Sequence, residues 1–316
     1  MKLLVASDGR RGIENQALGL AEAICRQVGT DCRIATHILA SGPAFAALPP
    51  WIQLAVKRDF GLPPADIIIG CGRQAIAALL SVRRKGRCDF TVYVQDPRTE
   101  PSRFDLVVAP KHDGLSGPSV ETMIGSPNRV TRDLIIAETL AHADRLSTLP
   151  MPRAMIAIGG PSHTHDMDAA TTDAHLKAAR NLADGGYSLL ITTSRRTPDL
   201  VQDQWRAFAN GRPNDVWLHT PDAAGHNPYF AFLGGAKIIL VSEDSTNMLT
   251  EACTTGKPVY RLPMQGDPGK FADLYEVLRH RCGVRRWDGR IDDPDYAPLD
   301  ETARIADRVL ERYRNR

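Results

Sequence analysis

Short, continuously apolar segments alternate with stretches of helical periodicity along this chain, and this alternation limits the fold more than any other feature. Asp66–Cys71, Ala154–Ile158 and Lys237–Ser242 are such segments, and a helical stretch follows each of them. Strands of a parallel sheet are buried on both faces, so they are continuous apolar runs and not alternating ones. The sequence therefore predicts an α/β protein with parallel sheets that helices cover on both faces.

The pattern stops at residues 147–152, which contain two prolines and no periodicity, and a new strand follows at once. A length of 316 residues suits two domains. We expect a Rossmann-like N-terminal domain over 1–148 and a second one over 149–298. A C-terminal helix over 299–316 completes the chain, and packing back on the N-terminal domain is one arrangement for it. The sheets are expected to face a central cleft, because ligands of such sheets bind beyond the carboxyl ends of the strands.

Composition excludes several classes of protein. With 43% hydrophobic and 24% charged residues and a net charge of +2, nothing indicates a nucleic-acid partner. No apolar run approaches the roughly 20 residues of a membrane span, and the N-terminus breaks into Asp8–Arg11 too early for a signal peptide. The six cysteines have no C-x-x-C pair or metal spacing, so we interpret them as reduced core residues of a cytoplasmic protein.

The loop after the first strand is the first candidate site. Its glycines let the backbone approach a ligand, and a helix N-terminus with two arginines favours an anion. Asp8, at the tip of the strand, suits a general base that takes a proton from an acceptor hydroxyl. Gln95 and Asp96 follow another strand and are candidates for the same acceptor or phosphate side. The alternative is a set of plain turns with solvated arginines. The other loop residues are Gly9, Arg10, Arg11, Gly12 and Asn15.

Two loops of the second domain also follow strands and are candidates for binding phosphate. The first has two glycines whose backbone N–H groups suit a diphosphate. The second has a hydroxyl and two guanidinium groups at a helix start. The alternatives are a common Gly-Gly turn and a helix cap with solvated arginines. The residues are Gly159, Gly160 and Ser162 in the first loop, and Ser194, Arg195 and Arg196 in the second.

Potential metal ligands lie just after the first of these loops. They have no recognised ligand spacing, so we interpret the run as a solvated loop and expect no metal site. The residues are His163, His165, Asp166 and Asp168.

The strongest candidate is the helix start at Ser245. Ser245 suits an N-cap, which leaves the amides of Thr246 and Asn247 free for a phosphate. Glu251 lies four residues after Asn247 on the same helix face, where a carboxylate can accept from both hydroxyls of a ribose. The alternative is an exposed capped helix on which Glu251 is only solvated.

An apolar stretch with a basic rim indicates one further surface. It would suit a lipid-linked acceptor at a membrane face, and a buried helix is the alternative. Its residues are Phe45, Leu48, Trp51, Ile52, Leu54 and Ala55, with Lys57, Arg58 and Arg83–Lys85 as the rim.

Many of these segments together resemble the ELM1-like family, which is named for a plant mitochondrial-fission protein. The resemblance implies a GT-B-like fold. The segments are SDGRRGIENQALGLAEA, IIIGCGRQ, VQDPR, FDLVVAPKHD, AIGGPS, TTSRRTP, NPYF, SEDSTNMLTEACTTGKPVY and PMQG.

The second half is also similar to the lipid II-forming N-acetylglucosaminyltransferase family. In that family a GGS loop, a Ser-led helix start and a Glu on that helix hold a UDP-sugar. The present chain departs from this pattern because Pro161 stands between the Gly pair and the serine. The resemblance implies the same roles here for Gly159, Gly160, Ser162, Ser245, Thr246 and Glu251.

These observations lead us to expect a GT-B-type glycosyltransferase in cell-envelope glycoconjugate synthesis. Its substrate would be a nucleotide diphosphate-sugar, with no cofactor, and Arg195 or Arg196 would stabilise the leaving group in place of a metal. The acceptor would be lipid-linked or a glycan, and the protein cytoplasmic or peripheral at the inner membrane. Two alternatives remain: a nucleoside-diphosphate-sugar epimerase, and a non-catalytic GT-B-like scaffold at a membrane.

Overall fold

The computed structural model describes residues 1–39, 42–57 and 59–316. The chain divides into two compact units. The first unit comprises Met1–Arg129 together with Asp300–Arg316, and the second unit comprises Val130–Leu299. The helical stretch just after residue 130 groups with the second unit, and the C-terminal helix groups with the first.

Strands and helices alternate through both units. The strands are β1 Lys2–Ser7, β2 Arg33–Ile38, β3 Ala65–Cys71, β4 Cys88–Val94, β5 Leu106–Pro110, β6 Val120–Met123, β7 Arg153–Ile158, β8 His165–Asp166, β9 Ser188–Thr193, β10 Val216–His219, β11 Ile238–Ser242, β12 Val259–Leu262, β13 Gln265–Gly266 and β14 Arg285–Arg286. The α-helices are α1 Arg11–Val28, α2 Pro43–Ala47, α3 Pro50–Val56, α4 Arg73–Arg84, α5 Arg132–Ala141, α6 Ala143–Ser147, α7 Ala169–Asp184, α8 Asp199–Asn210, α9 Tyr229–Gly235, α10 Thr246–Cys253, α11 Phe271–Cys282 and α12 Glu301–Arg314.

The first unit has a parallel sheet with helices on both faces. Within the described residues its strand order is β2-β1-β3-β4-β5-β6, and every neighbouring pair is parallel. Ile67 and Ile69 belong to the core beside α1 and α12, whereas Ile68 belongs to the core beside α3 and α4. Each fully buried aliphatic side chain of this kind stabilises the fold by about 2 kcal/mol. Burial on both faces is the reason for the continuous apolar run.

The second unit repeats this architecture with a different strand order. Its main sheet, within the described residues, runs β10-β9-β7-β11-β12-β14 and is parallel throughout. Counted from β7, this is the 3-2-1-4-5-6 order of doubly wound nucleotide-binding folds. The short strands β8 and β13 pair separately and antiparallel. The structure therefore confirms the predicted α/β class with two parallel sheets.

Each sheet has a point at which the chain reverses its direction of winding. In the first unit it lies between β1 and β3, and in the second unit between β7 and β11. Loops on the two sides of such a point diverge, which opens a crevice beyond the carboxyl ends of the strands. These two switch points are the places to examine for a binding site.

The interpretation of all cysteines as reduced is wrong for one pair. A disulfide joins Cys25, in the last turns of α1, to Cys32, just before β2, with 5.2 Å between their Cα atoms. The turn from helix to strand brings the two Cα atoms within bridging range, and helical periodicity gave no sign of this. The other cysteines are free thiols: Cys71, Cys88, Cys253 and Cys282.

Candidate functional site

The switch point of the second unit is built around the buried carboxylate of Asp244. Its Oδ1 accepts from the Ser242 hydroxyl at 2.6 Å, and its Oδ2 accepts from the Gly160 amide at 3.0 Å. Arg196 Nη2 donates to Oδ2 at 2.6 Å, and the Asp244 side chain has 0% of its surface exposed. The Gly159 amide donates to Ser242 Oγ at 2.7 Å. One carboxylate therefore joins the loops that follow β7, β9 and β11.

The glycine pair is required by this packing. A Cβ atom on Gly159 would lie 2.1 Å from Asp244 Oδ2, and one on Gly160 would lie 2.2 Å from the backbone oxygen of Arg196. The amides of both glycines already donate to acceptors in the protein. The two N–H groups that the sequence analysis assigns to a diphosphate therefore hold the loop together in this structure.

Ser162, His165 and Asp168 have structural partners, whereas His163 and Asp166 are exposed. Ser162 Oγ accepts from the amides of Thr164 and His165, at 3.2 and 3.1 Å, and Asp168 caps α7 by accepting from the Thr171 amide at 2.7 Å. The expectation of a solvated loop is wrong for His165, which is buried. In the described part of the chain no group of three or more His, Cys, Asp or Glu side chains could hold a metal ion.

The structure separates the roles of the two adjacent arginines. The Arg196 side chain keeps 47% of its surface exposed, but its guanidinium is bound by the protein, because Nη1 also donates to the carbonyls of Gly160 and Pro161, both at 3.2 Å. Ser194 Oγ accepts from the Arg196 amide at 3.1 Å, so this serine shapes the turn. Arg195 is exposed, and among the described residues it has no hydrogen-bond or ion-pair partner. Arg195 is therefore the guanidinium at this loop that is available to a ligand.

Helix α10 starts beside Asp244, directly beyond the carboxyl end of β11. Ser245 is its N-cap and accepts from the Met248 amide at 3.5 Å, which confirms the predicted cap. The amides of Thr246 and Asn247 in the first turn have no intrahelical acceptor. The helix dipole adds partial positive charge at the same place, so the start of α10 suits an anion.

Glu251 lies on the second turn of α10 and has an aromatic partner. The Tyr229 hydroxyl, at the start of α9, donates to Glu251 Oε2 at 2.6 Å. Burial raises the pKa of Glu251 from 4.5 to about 7, although the Tyr229 hydrogen bond lowers it. Burial also raises the pKa of Tyr229 well above its usual value. The alternative of a merely solvated Glu251 is therefore wrong.

Sequence reasoning did not single out Tyr229 or Lys257. Tyr229 lies 22 positions before Glu251, and no helical spacing links them. Lys257 Nζ donates to the carbonyls of Leu233, Gly234 and Ala236, at 2.6, 2.7 and 2.7 Å, and burial lowers its pKa to about 8. These bonds hold the C-terminal end of α9, whose first residue contacts Glu251.

At the switch point of the first unit, Asp8 forms a local ion pair. Arg10 donates to Asp8 through Nε at 2.9 Å, through Nη2 at 2.7 Å and through its own amide at 3.2 Å. The Asp8 side chain is 5% exposed, whereas that of Arg10 is 63% exposed. The hydrogen bonds that Arg10 donates to the Asp8 carboxylate raise the pKa of Arg10. Asp8, the candidate base, therefore lies at the strand tip, and the Arg10 guanidinium occupies its carboxylate.

Gln95 adopts an unusual backbone conformation at the same sheet edge. Its φ is +89°, a value that non-glycine residues rarely take. Its Nε2 donates to Gln16 Oε1 at 3.1 Å, and the Cys71 thiol donates to the same oxygen at 3.8 Å. Gln16, which follows the predicted Asn15, is the buried partner. Asp96 Oδ1 accepts from the Arg98 amide at 2.7 Å, which is the plain-turn alternative.

The remaining loop residues keep accessible surface. Gly9, Arg10, Arg11 and Gly12 are exposed, and Asn15 is half-buried on the first turns of α1. The sheet order brings the loops after β1, β3 and β4 to one edge, because these strands are neighbours and parallel. The first unit therefore places Asp8, Gln16 and Gln95 at one edge.

The apolar stretch with the basic rim is only partly buried. Trp51 and Val56 on α3 are 66% and 68% exposed, whereas Leu54 is buried, so the buried-helix alternative is wrong for one face of α3. Lys57 is exposed, and Arg58 lies outside the described residues. No helix in the described part of the chain has the length and apolar character that crossing a membrane requires.

Comparison with known proteins decides the family. The model of the family described as mitochondrial fission ELM1 matches residues 11–313. The chain belongs to the mitochondrial fission ELM1 family. A relative from Arabidopsis thaliana, mitochondrial fission protein ELM1, is 30% identical over 274 residues, which are 77% of this chain and 62% of that protein. An uncharacterized protein of Rickettsia prowazekii, RP120, is 24% identical over 355 residues and 97% of each chain. The chain thus spans less than two thirds of the Arabidopsis member of the family.

Solved structures show the fold of this ELM1 family member. The UDP-GlcNAc 2-epimerase of Methanocaldococcus jannaschii matches with a TM-score of 0.54 and 11% identity, over 98% of this chain and 99% of that one. MurG of Acinetobacter baumannii matches with a TM-score of 0.50 and 12% identity, over 98% of this chain and 99% of that one. The ADP-heptose LPS heptosyltransferase II of E. coli matches with a TM-score of 0.50 and 14% identity, over 100% of this chain and 99% of that one. The chain therefore has the GT-B-like fold, as predicted.

Proposed function

We propose that this member of the ELM1 family is a GT-B-type glycosyltransferase that uses a nucleotide diphosphate-sugar as donor. The observation that supports the proposal is the start of α10. A capped helix start with free amides and a half-buried carboxylate one turn later lie beyond β11, at the switch point. This combination suits a diphosphate and a ribose diol on one element.

The donor site of the proposal lies entirely in the second unit. The amides of Thr246 and Asn247 bind the diphosphate, and Glu251 accepts hydrogen bonds from the ribose. Arg195, which has no protein partner among the described residues, stabilises the charge that develops on the leaving diphosphate. Asp244 does not touch the donor. It fixes the loops that carry Gly160 and Arg196, and so keeps the surroundings of the helix start rigid.

The acceptor side of the proposal lies in the first unit. Asp8 takes the proton of the acceptor hydroxyl, and this requires Arg10 to leave the carboxylate. An acceptor with a phosphate group favours that change, because it offers Arg10 another anion. Such acceptors belong to cell-envelope glycoconjugate synthesis at the inner membrane. The exposed Trp51 and Val56, beside Lys57, suit a peripheral contact with that membrane.

A thermal-shift screen tests the donor site. The purified protein is heated with UDP, GDP, CMP, ADP or dTDP and with their common sugar conjugates. A ligand at 100 times its Kd stabilises by about 2.7 kcal/mol, and we expect this with one nucleotide class. Glu251→Ala should abolish the shift. The matched control is Glu276→Ala, because Glu276 is an exposed acid of the same unit that pairs with Arg279 and His280. A shift that survives Glu251→Ala would disprove the assigned site.

A second assay separates transfer from epimerisation, since both reactions would use this donor site. A transferase releases free nucleotide only when an acceptor is added. An epimerase converts the sugar nucleotide without any acceptor. Conversion in the absence of acceptor would replace the proposed reaction and leave the donor site unchanged.

A non-catalytic scaffold is the second candidate, and two observations favour it. The carboxylate of Asp8 is fully engaged by Arg10, and the Arabidopsis relative is named for mitochondrial fission. A scaffold tolerates the loss of Asp8 and Glu251 and binds liposomes without any sugar nucleotide. The absence of a thermal shift with every nucleotide would favour this function.

A further inference from the structure

The two carboxylate oxygens of Glu251 have different surroundings. Oε2 accepts from the Tyr229 hydroxyl at 2.6 Å. Oε1 accepts no hydrogen bond from the described residues. It is also not one of the buried polar atoms without a partner, so it is accessible. One oxygen is therefore held by the protein, and the other is open to a ligand.

We propose that Tyr229 is a positioning residue that keeps Glu251 an ionised hydrogen-bond acceptor, so that binding of the donor nucleotide is linked to one proton. This inference rests on the proposed function, because it concerns the same donor site. An ionised carboxylate accepts from two ribose hydroxyls, whereas a protonated one has lost part of that capacity. Tyr229 acts through Glu251 and is not assigned a contact with the nucleotide.

The position of the Tyr229 hydroxyl is fixed from both ends of α9. At the start of the helix, the Tyr229 amide donates to Asn227 Oδ1 at 3.0 Å. At the other end, Lys257 Nζ holds the last carbonyls of the helix. Helix α5 packs closely on α9, since a Cβ atom on Gly234 would lie 2.1 Å from Thr139 Oγ1. A phenol on such a fixed helix can orient a carboxylate.

The charged groups around α10 are engaged elsewhere. Burial and Tyr229 are the influences on the pKa of Glu251 within the described residues, with burial the larger. On β12, Arg261 pairs with Glu243, and the Tyr260 hydroxyl donates to the Asp292 carbonyl. On α5, Glu138 faces His226. On α10 and α11, Cys253 interacts with Cys282, and the Tyr275 hydroxyl donates to the Glu243 carbonyl. Glu276 pairs with Arg279 and His280. Asp273 and Arg281 do not contribute to the shift in the pKa of Glu251.

The proton linkage has a definite sign. The pKa of Glu251 in the free protein is about 7, so the nucleotide Kd should weaken as pH falls through 7. Below that point one linked proton weakens binding about tenfold per pH unit. Removal of the Tyr229 hydroxyl raises the pKa of Glu251 further, since that hydrogen bond favours the anion. The inflection should then move upward by about one pH unit.

The experiment measures Kd by calorimetry from pH 6 to pH 9, with the nucleoside diphosphate that gives the largest thermal shift in the screen. The variants are Tyr229→Phe, Glu251→Gln and, as a matched control in the same unit, Tyr187→Phe. Tyr229→Phe should bind like wild type at pH 9, bind about fivefold more weakly at pH 7 and show a raised inflection. Glu251→Gln should bind weakly at every pH, and Tyr187→Phe should follow the wild type.

The contrary outcomes separate this inference from the proposed function. A wild-type Kd that does not depend on pH overturns the proton linkage and leaves the donor site standing. A constant loss of affinity in Tyr229→Phe at all pH values shows a merely structural role and also overturns it. If no nucleotide binds the wild type, both proposals fail. Titration of Glu251 in the ligand-free protein, by infrared difference against Glu251→Gln, gives a second measurement: an unchanged pKa in Tyr229→Phe overturns the inference.

Discussion

The two switch points of this molecule are built by opposite means. In the second unit, loops that are 36 to 84 positions apart in sequence meet at Asp244, which has no exposed side-chain surface. In the first unit, the loop after β1 closes on itself, because Asp8 pairs with Arg10 only two positions away. The second switch point is held by contacts between distant segments, and the first by a contact within one turn.

The difference indicates what each site can do. A platform tied together by a buried carboxylate keeps its geometry whether or not a ligand is present, which suits recognition of an invariant diphosphate. An ion pair whose guanidinium is 63% exposed costs little to open, so Asp8 and Arg10 can exchange partners when a ligand arrives. The rigid site and the adjustable site correspond to the proposed donor and acceptor sides.

The largest effect should come from removing the central carboxylate. Asp244→Ala leaves the Gly160 amide, the Ser242 hydroxyl and the Arg196 guanidinium without their acceptor, and we expect a loss of about 3 kcal/mol in unfolding free energy. Asp8→Ala breaks an ion pair with an exposed partner and should cost about 1 kcal/mol or less. Urea denaturation of both variants measures the contrast. Equal losses would show that the second switch point is no more rigid than the first.

A glycine comparison tests the same contrast at the backbone. Gly160→Ala places a methyl group 2.2 Å from the Arg196 carbonyl, and we expect a loss of about 2 kcal/mol. Gly12, in the first turn of α1, has open space within 4 Å of the added carbon. Gly12→Ala should therefore raise stability by up to about 1 kcal/mol. Melting temperatures measure the expected decrease for Gly160→Ala and the expected increase for Gly12→Ala. A lower melting temperature for Gly12→Ala would mean that the first loop is as tightly packed as the second.

Local features of the fold and site could be predicted from sequence. Strands such as β3, β7 and β11 are continuous apolar runs, and Ser245 caps a helix through an amide three residues away. Strand β2 is not a continuous apolar run. Among the described residues it pairs with β1 alone, and all six of its residues are half-buried or exposed. A strand at the edge of a sheet is less buried than a central one, so its residues need not form a continuous apolar run.

The contacts that define the site depend on the fold and not on spacing. Asp244 stands between two other polar residues, and only the sheet order brings it to the Gly160 loop. The same holds for Tyr229, the first residue of α9, and Glu251, which lies in the second turn of α10. The Cys25–Cys32 disulfide could not be predicted from helical periodicity either, because the turn between α1 and β2 brings the two cysteines together. Sequence patterns report burial and caps, whereas partners across loops follow from topology.

A third comparison concerns Glu251, an acid that has no cation partner among the described residues. The pKa of Glu251 is raised from 4.5 to about 7, so its contribution to stability is present below pH 4.5 and lost as pH rises through 7. Glu251→Gln should therefore be more stable than wild type at pH 8, on the order of 1–2 kcal/mol, and should lose the nucleotide-dependent thermal shift. Asp8→Asn, which loses its ion pair with Arg10, should be slightly less stable at the same pH. Melting curves at pH 5 and pH 8 measure these signs. A Glu251→Gln variant that is destabilised at pH 8 would show that Glu251 supports the fold and is not strained for a ligand, and the contrast between the two acids would then disappear.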